Sequence, residues 1–391
     1  MSKHFLHKVF FLATTLFLIT SAWGRGVAAH DSICDQIEKI RSKYDNIGLA
    51  VAVVKNNRIV FSKTFGYNPD PSDPTKGVPI KPDDIFYIAS VSKTFVGTAI
   101  MQLVERGRLS LEDDVNRYLD FELRNPRFPD DPITLRMLLC HRSSLKKNAS
   151  YGSNFDKINP AKTANTQVCF NDYPPGAKAE YSNLGFAILG AVIEKVSGQR
   201  FDVYVQKNIL KPLKLYGGYD VSQLDNTKFV RSCEYNVKNE SFVVKNKHFV
   251  ADTLKLRQYK LGYSTPTLGP AGGLKISAVD LAKYMIMHMR YGKHRWFGRV
   301  LLKRSEETMR ERQHGSWYGL SFVHFKKVIP GVTLIGMQGG KFGMHTSMYF
   351  HPEKKYGFVV FCNGCHPKTK DDVGLNNEVI RMLYDSIIVG H

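Results

Sequence analysis

Ser90 and Lys93 form a Ser-x-x-Lys motif within residues 86–93, FYIASVSK. If a helix begins at Ser90, residues three apart share one helix face, so the Lys93 amine can approach the Ser90 hydroxyl. A serine hydroxyl becomes a strong nucleophile only when a neighbour takes its proton, and a lysine can do so when burial or nearby cations lower its pKa. The spacing therefore predicts Ser90 as a nucleophile and Lys93 as its base, although a lone motif of this kind also arises by chance.

Tyr181 and Asn183 form a second polar pair, in the segment EYSNLG (180–185) that opens another predicted helix. A phenol can shuttle a proton, and an amide can orient either a substrate or Lys93. Ser182 or Asn183 could instead cap the helix, since both residue types are preferred at that position. Capping and catalysis are compatible, so we predict a catalytic Tyr181 and a substrate-binding Asn183.

A glycine-rich stretch, GMQGGKFG at residues 336–343, follows an apolar segment near the C-terminus. Bare backbone there would let a substrate lie alongside the strand and would supply an N–H group to a developing oxyanion. The N-terminus of the helix at Ser90 offers another such N–H. We therefore predict Gln338, Gly339 and Gly340 as substrate-binding residues.

Helices and strands of both periodicities must position these residues. Strands are predicted at 48–54, 58–65, 85–88, 318–323, 332–337, 346–350 and 358–362. Helices are predicted near 33–44, 90–106, 136–141, 183–196, 201–210, 277–289 and 377–388. Strands thus come mainly from the two ends of the chain, and helices from its middle.

This order predicts an α+β fold, in which an antiparallel sheet from both chain ends is flanked by terminal helices and interrupted by a mainly helical inserted lobe. We expect one domain over residues 30–391. Its sheet lobe would comprise about 30–88 and 291–391, and its helical lobe about 89–290. Clefts between such lobes are common positions for active sites.

The N-terminus has the pattern of a signal peptide, which we place at residues 1–24. Basic residues between Lys3 and Lys8 precede an apolar run at 9–19, and small residues follow it. The run is shorter than the roughly 20 apolar residues that span a bilayer. Export to the periplasm or secretion is therefore predicted, with an uncut membrane anchor as the alternative. No other segment indicates an integral membrane span.

The 391 residues are 43% hydrophobic and 23% charged, a composition that is ordinary for a globular protein and favours a folded chain. They carry a formal net charge of +20. A basic surface favours anionic partners such as lipid headgroups or cell-wall polymers. The lysines are dispersed and no nucleic-acid-binding motif is present, so no nucleic-acid partner is expected. Six cysteines, an even number, fit an oxidising compartment, but their pairing cannot be read from the sequence.

The ordered combination of these motifs resembles the beta-lactamase-related serine hydrolases, which include class C beta-lactamases, DD-peptidases, and their esterase and peptidase relatives. The resemblance covers about residues 45–365. Its further supporting segments are 48–53, 133–141, 270–274, 280–281, 318–320 and 357–360.

The resemblance implies a role for each of the candidate residues. Ser90 would form an acyl-enzyme, and Lys93 and Tyr181 would share the base and acid work. Asn183 would position Lys93 and the substrate, and the N–H groups of Ser90 and Gly340 would form the oxyanion hole. The family needs no metal and no cofactor, so none is expected here.

Two departures from the family pattern affect the expected substrate. The third motif usually begins with lysine or histidine, whereas here it begins with Met337. That cation helps to hold a substrate carboxylate and favours an ionised tyrosine. Its absence favours neutral esters or amides, and Lys93 rather than a Tyr181 phenolate as the principal base. Secondly, Ser143 and Ser144 follow His141 where the family tends to have Ser-Gly, and we interpret His141 as structural.

We therefore predict an exported serine hydrolase that cleaves an ester or amide in a small-molecule or peptide substrate, which could derive from the cell wall. Two alternatives stay open: a DD-peptidase or beta-lactamase acting on peptidoglycan peptides or beta-lactams, and a catalytically inactive ligand-binding protein on the same fold. Cys362, Cys365 and His366 also match the C-x-x-C-H pattern of c-type haem attachment. They overlap the end of a predicted strand, so we expect packed or paired cysteines instead.

Overall fold

The computed structural model describes residues 31–246, 249–250, 252–294, 298–366 and 374–390. The predicted signal peptide, residues 1–24, lies outside these ranges. In the part of the chain that is described, no helix is both long and apolar enough to cross a membrane. All of the predicted site residues lie within the described ranges.

Strands from both ends of the chain form one seven-stranded sheet with the order β3-β2-β1-β12-β11-β10-β9. The strands in chain order are β1 (Gly48–Lys55), β2 (Arg58–Pro69), β3 (Gly77–Pro79), β4 (Phe86–Tyr87), β5 (Gly217–Gly218), β6 (Ser232–Asn236), β7 (Ser241–Lys245), β8 (Lys275–Ile276), β9 (Val323–Ile329), β10 (Val332–Lys341), β11 (Met344–His351) and β12 (Tyr356–Asn363). The chain ends meet where β1 and β12 pair antiparallel, with Val51 opposite Val360. The predicted α+β fold with an antiparallel sheet from both ends is confirmed.

Helices cover both faces of this sheet. They are α1 (31–43), α2 (Lys93–Glu105), α3 (Leu135–Leu139), α4 (Asn183–Ser197), α5 (Phe201–Val205), α6 (Thr253–Arg257), α7 (Ala278–Met289), α8 (Lys303–Arg310) and α9 (Gly374–Leu383). Single π-helical turns extend α5 and α9, and a 3₁₀ turn, Ala89–Ser92, precedes α2. α9 contacts β9, β11 and β12, whereas α7 contacts β1, β2, β11 and β12.

The sheet separates two apolar clusters, and β1 contributes to both. Leu49 and Val51 belong to the cluster that includes residues of α1 and α9. Ala50 and Ala52 belong to the larger cluster shared with α2, α4 and α7. Because side chains alternate between the faces of a strand, β1 is buried on both sides, which explains its unbroken run of small and apolar residues.

The structure differs from the sequence prediction at residues 318–323, which are predicted as a strand. The strand β9 begins only at Val323. Ser321 has a φ of +67°, and its N–H donates to the Leu139 carbonyl oxygen at 3.1 Å instead of joining a ladder. A residue in the left-handed conformation interrupts extended backbone. The prediction from apolar residues alone therefore began this strand too early in the chain.

Candidate active site

The turn that carries Ser90 is held in an unusual conformation. Ala89, immediately before it, has a φ of +45°, a region that residues with a side chain rarely adopt. The Ser92 hydroxyl donates to the Ala89 carbonyl oxygen at 2.7 Å and accepts the Leu274 N–H at 3.1 Å. These bonds fix the turn between β4 and α2, so that Ser90 stays partly exposed while its neighbours Ala89 and Val91 are buried.

Lys93 is completely buried, with 0% of its surface exposed. Its Nζ lies 3.2 Å from Ser90 Oγ, 2.8 Å from Asn183 Oδ1 and 2.6 Å from the Ala271 carbonyl oxygen. Burial, aided by the positive charge of Lys341, holds the pKa of Lys93 well below its ordinary value. In the neutral amine, Asn183 and Ala271 can accept both N–H groups, which leaves the lone pair directed at the Ser90 hydroxyl.

Tyr181 also contacts Ser90, with its hydroxyl oxygen 2.5 Å from Ser90 Oγ. The Lys93 Nζ lies 4.8 Å from the centre of the Tyr181 ring. Burial raises the pKa of Tyr181, although its hydrogen bond with Ser90 acts in the opposite direction. Tyr181 is therefore a protonated phenol at neutral pH, and can donate a proton to a departing group.

His141 supports the Tyr181 ring. The two ring centres are 4.5 Å apart, and His141 Nδ1 accepts the N–H of Ser182 at 3.1 Å. This bond requires an unprotonated Nδ1. Burial lowers the pKa of His141 well below its ordinary value, and Lys93 in its protonated form would lower it further. A neutral, buried ring fits the structural role assigned to His141 from the sequence.

Asn183 is the first residue of α4, and the cap of this helix is the residue before it. The Ser182 hydroxyl accepts the Gly185 N–H at 3.4 Å. Since Ser182 caps the helix, the Asn183 side chain is directed to Lys93 instead. The sequence analysis left the choice of cap open, and the structure resolves it.

Gly339 brings β10 against the turn that carries Ser90. A Cβ atom at Gly339 would lie 2.6 Å from the Ile88 carbonyl oxygen and 2.7 Å from the Ser90 nitrogen, closer than real Cβ contacts. The Thr346 hydroxyl on the neighbouring strand also donates to the Ile88 carbonyl oxygen, at 2.8 Å. Only glycine therefore allows this approach of strand and turn.

The N–H of Gly340 can be placed from the hairpin that joins β10 to β11. Phe342 and Gly343 form its two-residue turn, with φ values of 56° and 77°, as in a type I′ turn. Residue pairs that follow such a turn along the two strands alternate between hydrogen-bonded and non-hydrogen-bonded pairs. Lys341 and Met344 form the first, hydrogen-bonded pair, and Gly340 and His345 form the second, non-hydrogen-bonded pair. The N–H of Gly340 therefore points away from β11, toward the side that carries Ser90.

The remaining side chains of β10 alternate between the two faces of the sheet. Met337 and Lys341 share the face of Gly339, and Met337 is buried in the larger apolar cluster. Gln338 lies on the opposite face, where its Oε1 accepts the hydroxyl of Tyr349 at 2.7 Å. A substrate contact by Gln338 stays a prediction. Because its side-chain oxygen is bonded to Tyr349, such a contact would involve the backbone of Gln338 more readily than this oxygen.

Lys341 is a cation that the sequence analysis did not place in the site. It lines both cavities that open at Ser90, and its charge contributes to the lowered pKa of Lys93. The signal available in the sequence was its spacing, because residues 337, 339 and 341 alternate onto one strand face. The contact with the Ala271 carbonyl could not have been predicted in this way, because any residue type can supply a backbone carbonyl.

Two cavities meet at Ser90, of about 710 and 940 Å³. Among the residues that the structure describes, no group of three or more His, Cys, Asp or Glu could hold a metal ion. The six cysteines lie within the described residues, and none of them forms a disulfide bond there. Cys362 is fully buried and hydrogen-bonded by Cys365 and by the Asn46 amide, which leaves no space for haem attached at its sulfur.

A sequence model of the Beta-lactamase family matches residues 34–379, so the chain belongs to this family. Protein flp from Staphylococcus aureus (strain MRSA252) is 30% identical over 171 residues, which is 43% of this chain and 34% of flp. The chain thus spans about a third of the length of this curated relative.

Two solved structures have the same fold. The octameric penicillin-binding protein homologue from Pyrococcus abyssi gives a TM-score of 0.70 at 23% identity, covering 92% of this chain and 77% of the other. A class C beta-lactamase mutant also gives 0.70, at 19% identity, covering 92% and 98%. The family resemblance drawn from the sequence is confirmed.

Proposed function

We propose that this protein is a serine hydrolase that cleaves an ester or amide through an acyl-enzyme on Ser90. The observation that carries the proposal is the pair of contacts at the nucleophile. Lys93 Nζ lies 3.2 Å from Ser90 Oγ, and the Tyr181 hydroxyl oxygen lies 2.5 Å from the same atom. A buried amine of lowered pKa and a protonated phenol are the base and the acid that this reaction needs.

In the proposed acylation, neutral Lys93 takes the proton of Ser90 while Oγ bonds to the substrate carbonyl carbon. The oxygen of that carbonyl becomes negatively charged and accepts the N–H groups of Ser90 and Gly340. As the bond to the leaving group breaks, Tyr181 gives its proton to the departing oxygen or nitrogen and regains one from Lys93. A water molecule then attacks the acyl-enzyme by the reverse proton transfers and releases the acid.

Met337 affects which leaving groups the site would accept. Its side chain stands at the position where the sequence analysis expects a cation that would hold a substrate carboxylate, and it shares the strand face that carries Gly339. A buried thioether cannot replace the ammonium or imidazolium there. The proposal therefore favours leaving groups without a carboxylate at this position, over penicillins, cephalosporins and peptides that end in D-alanine.

We also propose that the protein acts after export. The predicted signal peptide at residues 1–24 supports this proposal, and the net charge of +20 would hold the protein near anionic surfaces. N-terminal analysis of the protein recovered from cells tests it. A mature chain that begins near residue 25 is expected, and an intact Met1 terminus on a protein retained in the cytoplasm would contradict export.

A fluorophosphonate probe tests the nucleophile. We expect the purified protein to gain one equivalent of probe mass and Ser90→Ala to gain none, with both variants showing the same thermal unfolding. Labelling that persists in Ser90→Ala would refute the assignment. A matched panel of short acyl esters and a chromogenic cephalosporin then tests the substrate class, and cephalosporin turnover faster than ester cleavage would overturn the ranking.

A further inference from the structure

The two cavities at Ser90 can be assigned to the two halves of a substrate. Tyr181 lines the 940 Å³ cavity and does not line the 710 Å³ cavity. Because Tyr181 would give its proton to the leaving group, the leaving group belongs in the cavity that this phenol lines. The 710 Å³ cavity, which Asn183 lines, then receives the acyl group, and we name it the acyl pocket.

Lys275 is a buried lysine that lines the acyl pocket and that the proposed mechanism does not use. Lys275 lies in β8 and pairs with Tyr87 of β4. Tyr87 in turn precedes Ser90 by three residues. Only 5% of the surface of Lys275 is exposed. Its Nζ donates to the Tyr219 carbonyl oxygen at 3.3 Å. In the described part of the chain no carboxylate forms an ion pair with it, so its ammonium has N–H groups to spare for a ligand.

The acidic residues of the acyl pocket are already neutralised by other cations. Asp220 pairs with Arg200 at 2.8 Å, and Asp252 pairs with Lys255 at 2.5 Å. The pocket is lined by two more lysines, Lys147 and Lys341, for which the described residues provide no ion pair. The acyl pocket therefore carries an excess of positive charge.

Burial of the Lys275 ammonium disfavours its charged form, and the pKa falls to about 7 as a result, although the charge of Asp220 acts in the opposite direction. An anion that entered the pocket would compensate this burial. Charge-assisted hydrogen bonds between an ammonium and a carboxylate are among the stronger polar contacts in proteins. The arrangement thus favours a ligand that brings its own negative charge.

We propose that the acyl pocket binds a carboxylate on the acyl portion of the substrate, with Lys275 as the principal contact and Lys341 and Lys147 at its rim. The substrate class is then a monoester or monoamide of a dicarboxylic acid. This inference rests on the proposed hydrolase function and adds the charge of the acyl group. It places the anion in a different cavity from the leaving group.

The test compares adipyl and pimelyl monoesters of 4-methylumbelliferone with the matched esters whose terminal carboxylate is a carboxamide. Spontaneous hydrolysis is subtracted with Ser90→Ala. For the wild type we expect kcat/KM to be about tenfold or more higher for the carboxylate than for the carboxamide, as expected for one charged hydrogen bond. A ratio at or below one in the wild type would overturn the proposal without needing any variant.

Lys275→Gln should lower this ratio toward one, because a neutral amide replaces the ammonium. Lys63→Gln is the matched control: Lys63 is exposed on β2, so this variant makes the same exchange outside the pocket and should keep the wild-type ratio. An equal fall in both variants would overturn the role of Lys275. Fluorophosphonate labelling of Ser90 separates the two proposals, since normal labelling with a ratio of one or less refutes only the acyl pocket.

Discussion

Replacing Gly339 with alanine should damage the proposed oxyanion hole without changing any of the proposed catalytic side chains. The new Cβ would lie 2.6 Å from the Ile88 carbonyl oxygen and 2.7 Å from the Ser90 nitrogen, and both neighbours are backbone atoms that cannot rotate aside. Restoring ordinary contact at 3.4 Å requires a displacement of about 0.8 Å between β10 and the nucleophile turn. Misplacement of about 1 Å, or loss of one oxyanion donor, costs about 10²-fold in rate.

We therefore expect kcat/KM of Gly339→Ala for an acyl ester to fall about 10²-fold, with a loss of stability of about 1–3 kcal/mol from overpacking. Gly340→Ala is the matched comparison, because its Cβ would meet only His345 Nδ1 at 3.3 Å and other atoms at 3.8 Å, and its N–H is retained. This variant should lose clearly less activity. A folded Gly339→Ala with the ester kinetics and fluorophosphonate labelling rate of the wild type would refute the close approach of β10 to Ser90.

Three further predictions concern the base, its electrostatic setting and the fold. Lys93→Ala should slow acylation by at least about 10²-fold, the lower range for losing a general base, and near-wild-type labelling rates would contradict that role. Lys341→Gln removes a charge that lowers the pKa of Lys93, so that pKa should rise in the variant. Since only neutral Lys93 accepts the proton, the acidic limb of the kcat/KM–pH profile should move to higher pH. An acidic limb that stays in place or moves to lower pH would contradict this influence of Lys341 on Lys93. Glu194→Ala leaves four buried or half-buried hydrogen-bond donors without their carboxylate, those of Phe201, Tyr259, Gly262 and Thr265. Urea unfolding should therefore show that the free energy of unfolding falls by about 3 kcal/mol or more. The control Glu122→Ala, at an exposed position, should lower it by about 0.5 kcal/mol or less.

The elements with strong local signals were predictable from the sequence. The β1–β2 hairpin turns at Asn56 and Asn57, both with positive φ, a conformation that asparagine tolerates. Its two strands are rich in β-branched and apolar residues. Helix α4 begins after a serine cap and ends at Gly198, which has a φ of +68°. Caps, turns and periodicity are properties of neighbouring residues, so a single sequence contains them.

Features that depend on residues distant in the chain were not predictable in this way. The Lys93 amine is held by the Ala271 carbonyl, 178 positions away, and no residue type is needed to supply a backbone oxygen. The contact of His141 with Tyr181 joins two loops whose separation the sequence does not give. Such contacts follow from the packing of α2 and α3 against α4, and only the folded chain contains that information.

The positions of the cations around Ser90 lead to one consequence for specificity. An ammonium at the first position of the third motif, in place of Met337, would attract a carboxylate into the cavity that Tyr181 and Met337 line, where the leaving group is proposed to bind. Of the two buried lysines that form no ion pair within the described residues, Lys93 contacts Ser90 itself, whereas Lys275 lines the acyl pocket and not the other cavity. Since a charge contact contributes to specificity only where the substrate carries the opposite charge, a hydrolase with this arrangement should discriminate among acyl groups more strongly than among leaving groups. Exchanging the leaving group at constant acyl carboxylate should therefore change kcat/KM less than neutralising that carboxylate does.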